Sequence, residues 1–179
     1  MSLSRFDPFR NRLARDIRNN LSRAFLKSLA GKEVSSFQRV AEEYLQQHLE
    51  PAYEIYVIKR LEKYMAAFVA INAGRLREVL QQAALLWDLE LYFEMHELLE
   101  PTWKEAEGDR RRALQGLIRA AGTKIHAENN NKAAASMGTK ALADLQKYGN
   151  RLEGFDKLEA LLADLQDMQH SAYGTSQEK

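Results

Sequence analysis

The sequence contains no cysteine. That removes disulfides, thiolate nucleophiles and cysteine-ligated zinc, and it fits a reducing compartment, read here as the cytoplasm. Proline occurs three times and glycine nine times, and most of them stand where helices should begin or end. No segment shows the period of two that a half-buried strand needs, so a β-rich fold is not expected. No apolar run approaches the roughly 20 residues required to cross a bilayer, which argues against a membrane span. Arginines interrupt every candidate hydrophobic region near the start, so no secretory signal is expected. There is no nucleophile elbow, phosphate loop or dinucleotide fingerprint, and no internal repeat.

What remains is an ordinary globular composition: 179 residues, 45% hydrophobic and 28% charged. This length suits one domain with a full core, or one domain with a helical extension. The net charge is +1, but it is unevenly placed. Arg5, Arg10, Arg12, Arg15, Arg18, Arg23, Lys27 and Lys32 face only Asp7 and Asp16 within the first 32 residues, giving that segment +6 and the rest −5. A basic end of this kind can bind nucleic acid or an anionic surface, or simply be a solvated helix face. Aromatic residues interleaved with the basic face, which would serve as stacking platforms, are missing.

The apolar pattern reads as helices throughout. Asp7-Pro8 is an N-cap followed by proline at the first helical position, and Phe9, Leu13, Ile17, Leu21, Phe25 and Leu29 recur at spacing four until Gly31. Ser35-x-x-Gln38 has the form of a capping box and opens a second helix that ends at Glu50-Pro51. A third helix is predicted over Pro51–Ala73, with Ile55, Ile58, Leu61, Met65, Phe68 and Val69 inward and the tyrosines at the edge of the core. A fourth is predicted over Arg75–Trp87, and a fifth from an Asp88 cap through Leu89 to about Ala106. The sixth runs from Gly108-Asp109 to about Glu128, and the seventh covers Lys132–Tyr148. Gly154 and Asp156 precede the last, and residues 171–179 are read as a frayed tail. The expected fold is all-α, a compact bundle of seven to eight mostly antiparallel helices. Residues 1–74 are read as an N-terminal extension packing on a domain over 75–170.

Chemistry-bearing residues gather in two of these helices. At about 100° per residue, Phe93, His96, Glu100 and Trp103 share one stripe of the fifth helix, with Glu97 and then Glu94 beside it. On the sixth, Gln115 and His126 point nearly the same way, and Arg111, Arg112 and Arg119 share their stripe. A short connection makes the two helices antiparallel neighbours, so the two stripes can build one pocket from Glu94, His96, Glu97, Glu100, Trp103, Arg111, Gln115 and His126.

The run Phe93-Glu94-x-His96-Glu97-x-x-Glu100-x-x-Trp103, then Arg111-x-x-Leu114-Gln115-Gly116-Leu117-Ile118 and His126, resembles the signature of the prokaryotic domain of unknown function family 309 over roughly residues 85–145. The resemblance implies a compact helical domain and no established activity. Asp88, Glu90, Arg119, Asn130 and Ala134 depart from the pattern, and Pro101 is expected to kink the fifth helix beside the site.

Three uses of this set stay open. His96 and Glu100 at i, i+4 can bind one divalent metal, with Glu97 or His126 completing the coordination, although His-Glu-x-x-Glu is not the zinc-protease pattern. His96 can act as an acid–base group oriented by a carboxylate on a small ligand. Alternatively, the residues form a structural network of salt bridges in a non-enzymatic interaction or scaffold protein, which holds a protein partner by its basic first helix or a helical groove. Nucleic-acid binding by the first helix is a further reading of the chain. His48 and His170 read as structural or exposed.

Overall fold

The computed structural model describes residues 5–127 and 129–174, the side chains among them as far as His170. Among the described residues there are eight α-helices and no strand. They fall into two compact units, Met1–Arg75 and Leu76–Lys179.

The first unit holds α1 (Arg12–Gly31), α2 (Ser35–Leu45) and α3 (Pro51–Ala73). α1 starts later than the Asp7-Pro8 signal suggests. Asp7 accepts the N–H groups of Phe9 at 2.9 Å and Arg10 at 3.3 Å, closing a local turn. The helix cap is Asn11, whose side chain accepts from Ala14 at 3.0 Å. At the other end Gly31 stays helical and Lys32 takes the left-handed position, at φ 56°. The expected inward stripe is only partly buried: Ile17, Leu21 and Phe25 are, while Phe9 and Leu13 are 38% and 43% exposed. A string at strict spacing four precesses about 40° per step, so six members cannot share one face. Ala14 and Ala24 fill the inward positions instead.

In α2 the capping box does not form. Val34 is the cap residue, with no side-chain bond, and the Gln38 amide lies 3.7 Å from the Met65 sulfur. Phe37 and Ala41 are buried. α3 is rotated by about 100° from the predicted face: Ile55, Ile58 and Val69 are exposed, Leu61, Met65 and Phe68 are half-buried, and Tyr53, Val57, Tyr64, Ala67 and Ile71 are buried. The helix is apolar on more than one side, so periodicity alone does not select a face. Aromatic packing does. Tyr64 stacks on Phe25 with centroids 4.3 Å apart, and Phe37 meets both edge-on at 5.9 and 5.7 Å. Such pairs add about 0.5–1.5 kcal/mol beyond area burial.

The second unit holds α4 (Val79–Asp88), α5 (Tyr92–Glu105), α6 (Gly108–Ala127), α7 (Asn131–Tyr148), a 3₁₀ turn (Gly149–Arg151) and α8 (Leu158–Gly174). α4 begins four residues after its predicted start, because Arg75 adopts φ 51° and interrupts the helical path. Asp88 ends α4 and does not cap α5. Its carboxylate pairs with Lys157 at 2.9 Å, which raises the lysine's pKa through that hydrogen bond and charge. Glu90 at φ 56° makes the turn into α5. Gly108, also at φ 56°, turns the chain into α6, and Asn130 caps α7 by accepting from Ala133 at 3.0 Å. α8 continues to Gly174, so residues 171–174 of the expected tail are helical and 175–179 lie outside the described residues.

Candidate functional site

α5 is laid down by its apolar arc. Leu91, Met95 and Leu99 are fully buried, which turns the His96, Glu100 and Trp103 stripe away from the interior. Glu94 goes with the apolar arc and not with Glu97: its side chain is 0% exposed. It sits about 160–200° from His96 around the helix, so the two cannot serve one small ligand from a common face.

The remaining α5 residues are engaged in short-range pairs. His96 Nδ1 lies 3.2 Å from Glu97 Oε1, with side chains 32% and 40% exposed. Glu100 pairs with Lys104 at 3.2 Å. The Arg111 guanidinium lies 4.6 Å from the centroid of the Trp103 ring, and its Nη1 donates at 3.4 Å to the carbonyls of Lys104 and Ala106. Arg111 therefore closes the C-terminal end of α5, where unpaired carbonyls gather and a cation is favoured. Trp103 Nε1 is buried without a hydrogen-bond partner. Pro101 is exposed, and α5 continues through it to Glu105. On α6, Gln115 and His126 are half-buried. The carbonyl of His126 accepts from Asn129 at 3.0 Å and Asn130 at 2.8 Å, which closes α6. Among the described residues, no three His, Asp or Glu side chains are grouped so as to hold a metal ion.

Other polar residues carry the tertiary structure here. Arg119 on α6 pairs with Asp144 on α7, and Lys124 on α6 pairs with Asp164 on α8 at 2.6 Å. The Lys124 ammonium also lies 5.7 Å from the Trp87 centroid and 5.6 Å from that of Tyr92. Burial, with Glu90 and Asp164 nearby, raises the Tyr92 hydroxyl pKa to about 12. Sequence spacing shows neither ion pair, because the partners are 25 and 40 residues apart. A local signal for the α6–α7 contact does exist. Gly116, Ala120, Gly122 and Thr123 on α6 and Ala134, Gly138 and Ala141 on α7 are buried small residues, which let two helix backbones approach closely.

Residues 80–137 match the family model described as Domain of unknown function (DUF309). The match runs from α4 into α7 and includes the whole Phe93–His126 motif. No curated protein and no solved structure matches the chain. No helix among the described residues is long and apolar enough to cross a membrane.

Proposed function

We propose that this is a non-enzymatic helical scaffold or interaction protein of the cytoplasm, in which Trp103, Arg111, Arg119 and Lys124 of α5 and α6 hold the second unit together. One observation carries the reading: Arg111 covers Trp103 and bonds the last carbonyls of α5. The most distinctive motif side chains thus serve a helix end and a helix–helix contact. The His96–Glu97 and Glu100–Lys104 pairs are local to α5 and partly open to solvent. Pairs this exposed contribute about 0–1 kcal/mol.

The test is Zn²⁺ and Mn²⁺ titration of the wild-type chain and of His96→Ala, followed by thermal unfolding, with Arg111→Ala measured alongside. A scaffold shows no metal-dependent rise in Tm, little change for His96→Ala, and a loss of about 1–2 kcal/mol for Arg111→Ala. The divalent-metal reading of the pocket requires the opposite. A metal-dependent rise in Tm, present in wild type and abolished in His96→Ala, would replace the scaffold with a divalent-metal site on His96 and Glu100.

A further inference from the structure

A groove lies along α1 and α2 of the first unit, remote in sequence from the α5–α6 motif. Its volume is about 360 Å³, at the lower end of the range for small-ligand sites, roughly 300–1,000 Å³. Arg23 and Lys27 of α1 and Arg39 of α2 line it, with one acidic residue, Glu43. These four side chains sum to +2. Ala24 and Val40 give it an apolar part. Toward one end the Asn20 amide donates to the Tyr44 hydroxyl at 2.7 Å, tying the two helices together. Ser36, in the first turn of α2, also lines the groove.

We infer that this groove binds a small phosphate monoester, with the phosphate held by Arg23, Lys27 and Arg39, and the organic body resting on Ala24 and Val40. The charge argument selects phosphate. A monoester carries about −1.5 to −2 at neutral pH, which matches the groove. Guanidinium forks and an ammonium are the side chains that bind it best. The acidic residue of the groove holds its cation weakly. Arg39 Nε lies 3.8 Å from Glu43 Oε1, with both side chains more than 60% exposed, so an arriving phosphate competes against an interaction worth little. Arg23 donates to Asn20 at 3.3 Å on an exposed surface, a neutral contact that a phosphate oxygen outcompetes. The inference is independent of the scaffold reading, since it uses no residue of α5 or α6.

The experiment measures binding of phenyl phosphate, phenol and inorganic phosphate to the full chain by calorimetry at fixed ionic strength. The same measurement is made on Lys27→Gln/Arg39→Gln, and on Arg12→Gln, whose guanidinium is on α1 but outside the groove. Thermal unfolding of each variant confirms that it is folded, and all three substituted side chains are on exposed residues. Phenyl phosphate is expected to bind more tightly than inorganic phosphate, and phenol not to bind. The double variant should lose at least tenfold in affinity and Arg12→Gln should lose none. A single-stranded oligonucleotide that binds with a steep salt dependence, weakened equally by Arg12→Gln and by the double variant, would show a diffuse polyanion surface and overturn the site. Absence of phenyl phosphate binding at millimolar concentration would overturn it equally.

Discussion

Lys124 on α6 reaches Asp164 on α8 at 2.6 Å while its ammonium faces the rings of Trp87 on α4 and Tyr92 on α5. One side chain therefore joins four helices. The lysine is 18% exposed and the aspartate 38%, placing the pair between a surface contact, worth about 0–1 kcal/mol, and a fully buried one, whose disruption costs about 3–5 kcal/mol. Asp164→Asn is expected to cost about 1–2 kcal/mol, because it leaves the Lys124 charge half-desolvated among aromatics. The comparison is Arg151–Asp109, at 3.3 Å with both side chains more than half exposed. There Asp109→Asn should cost less than about 0.5 kcal/mol. Urea unfolding of the two variants checks the ranking, and equal losses would contradict it.

Tyr92 gives the second unit a pH dependence above neutrality. Its folded pKa is raised from 10.0 to about 12, first by burial and then by the negative charges of Glu90 and Asp164. The folded state thus holds the phenolic proton more tightly than the unfolded state. The stability linked to this proton is fully present below about pH 10 and is lost as pH rises from about 10 to about 12. Lysines titrate in the same window, so the wild type must be compared with Tyr92→Phe. The wild type should lose more stability than Tyr92→Phe between about pH 9.5 and 12, and one tyrosine should ionise late in an absorbance titration. Parallel stability curves would show that Tyr92 is not the source.

The approach of α6 to α7 depends on Gly116. A Cβ placed there would sit 2.8 Å from Leu145 Cγ and 2.9 Å from its Cδ2, and Leu145 is only 1% exposed. In an unpacked helix, Gly→Ala gains about 1 kcal/mol. Here the overlap reverses the sign, and Gly116→Ala is expected to cost about 1–3 kcal/mol. At Gly31, in the last turn of α1, a Cβ would meet nothing within 4 Å, so Gly31→Ala should stabilise by about 0.4–1 kcal/mol. Opposite shifts in Tm for the two substitutions are the expected result.

The helical fold was legible because each helix carries its own apolar period, and residues 80–137 carry a family pattern besides. The candidate site was legible only as far as one helix and its immediate neighbour. Trp103 and Arg111 face each other across a two-residue connection, so helical spacing locates both. Arg119–Asp144 and Lys124–Asp164 join α6 to helices far along the chain, and nothing local marks their partners. Glu94 shows a different difficulty. At about 100° per residue it lies about 160° from His96 and nearer to Leu98 than to Glu97, so burial of Leu91 and Met95 carries it inward. The start of α1 was misplaced because two capping groups compete there, Asp7 and Asn11.

The rotated face of α3 can be tested at two consecutive residues. Val57 is 0% exposed and Ile58 is 45% exposed, although the apolar period admits either as the inward residue. Burying a valine side chain contributes about 1.5–3 kcal/mol, so Val57→Ala should cost at least about 1 kcal/mol. Ile58→Ala, at a position already in water, should stay within about 0.5 kcal/mol of wild type. Tyr64 extends the argument, since it is wholly buried between Phe25 and Phe37. Tyr64→Ala should cost about 3–5 kcal/mol, as for other large aromatic truncations. Chemical denaturation of the three variants decides the face. A loss at Ile58 as large as that at Val57 would mean that α3 turns its other side to the core, and the Phe25–Tyr64 stack would then have to be abandoned as the centre of the first unit.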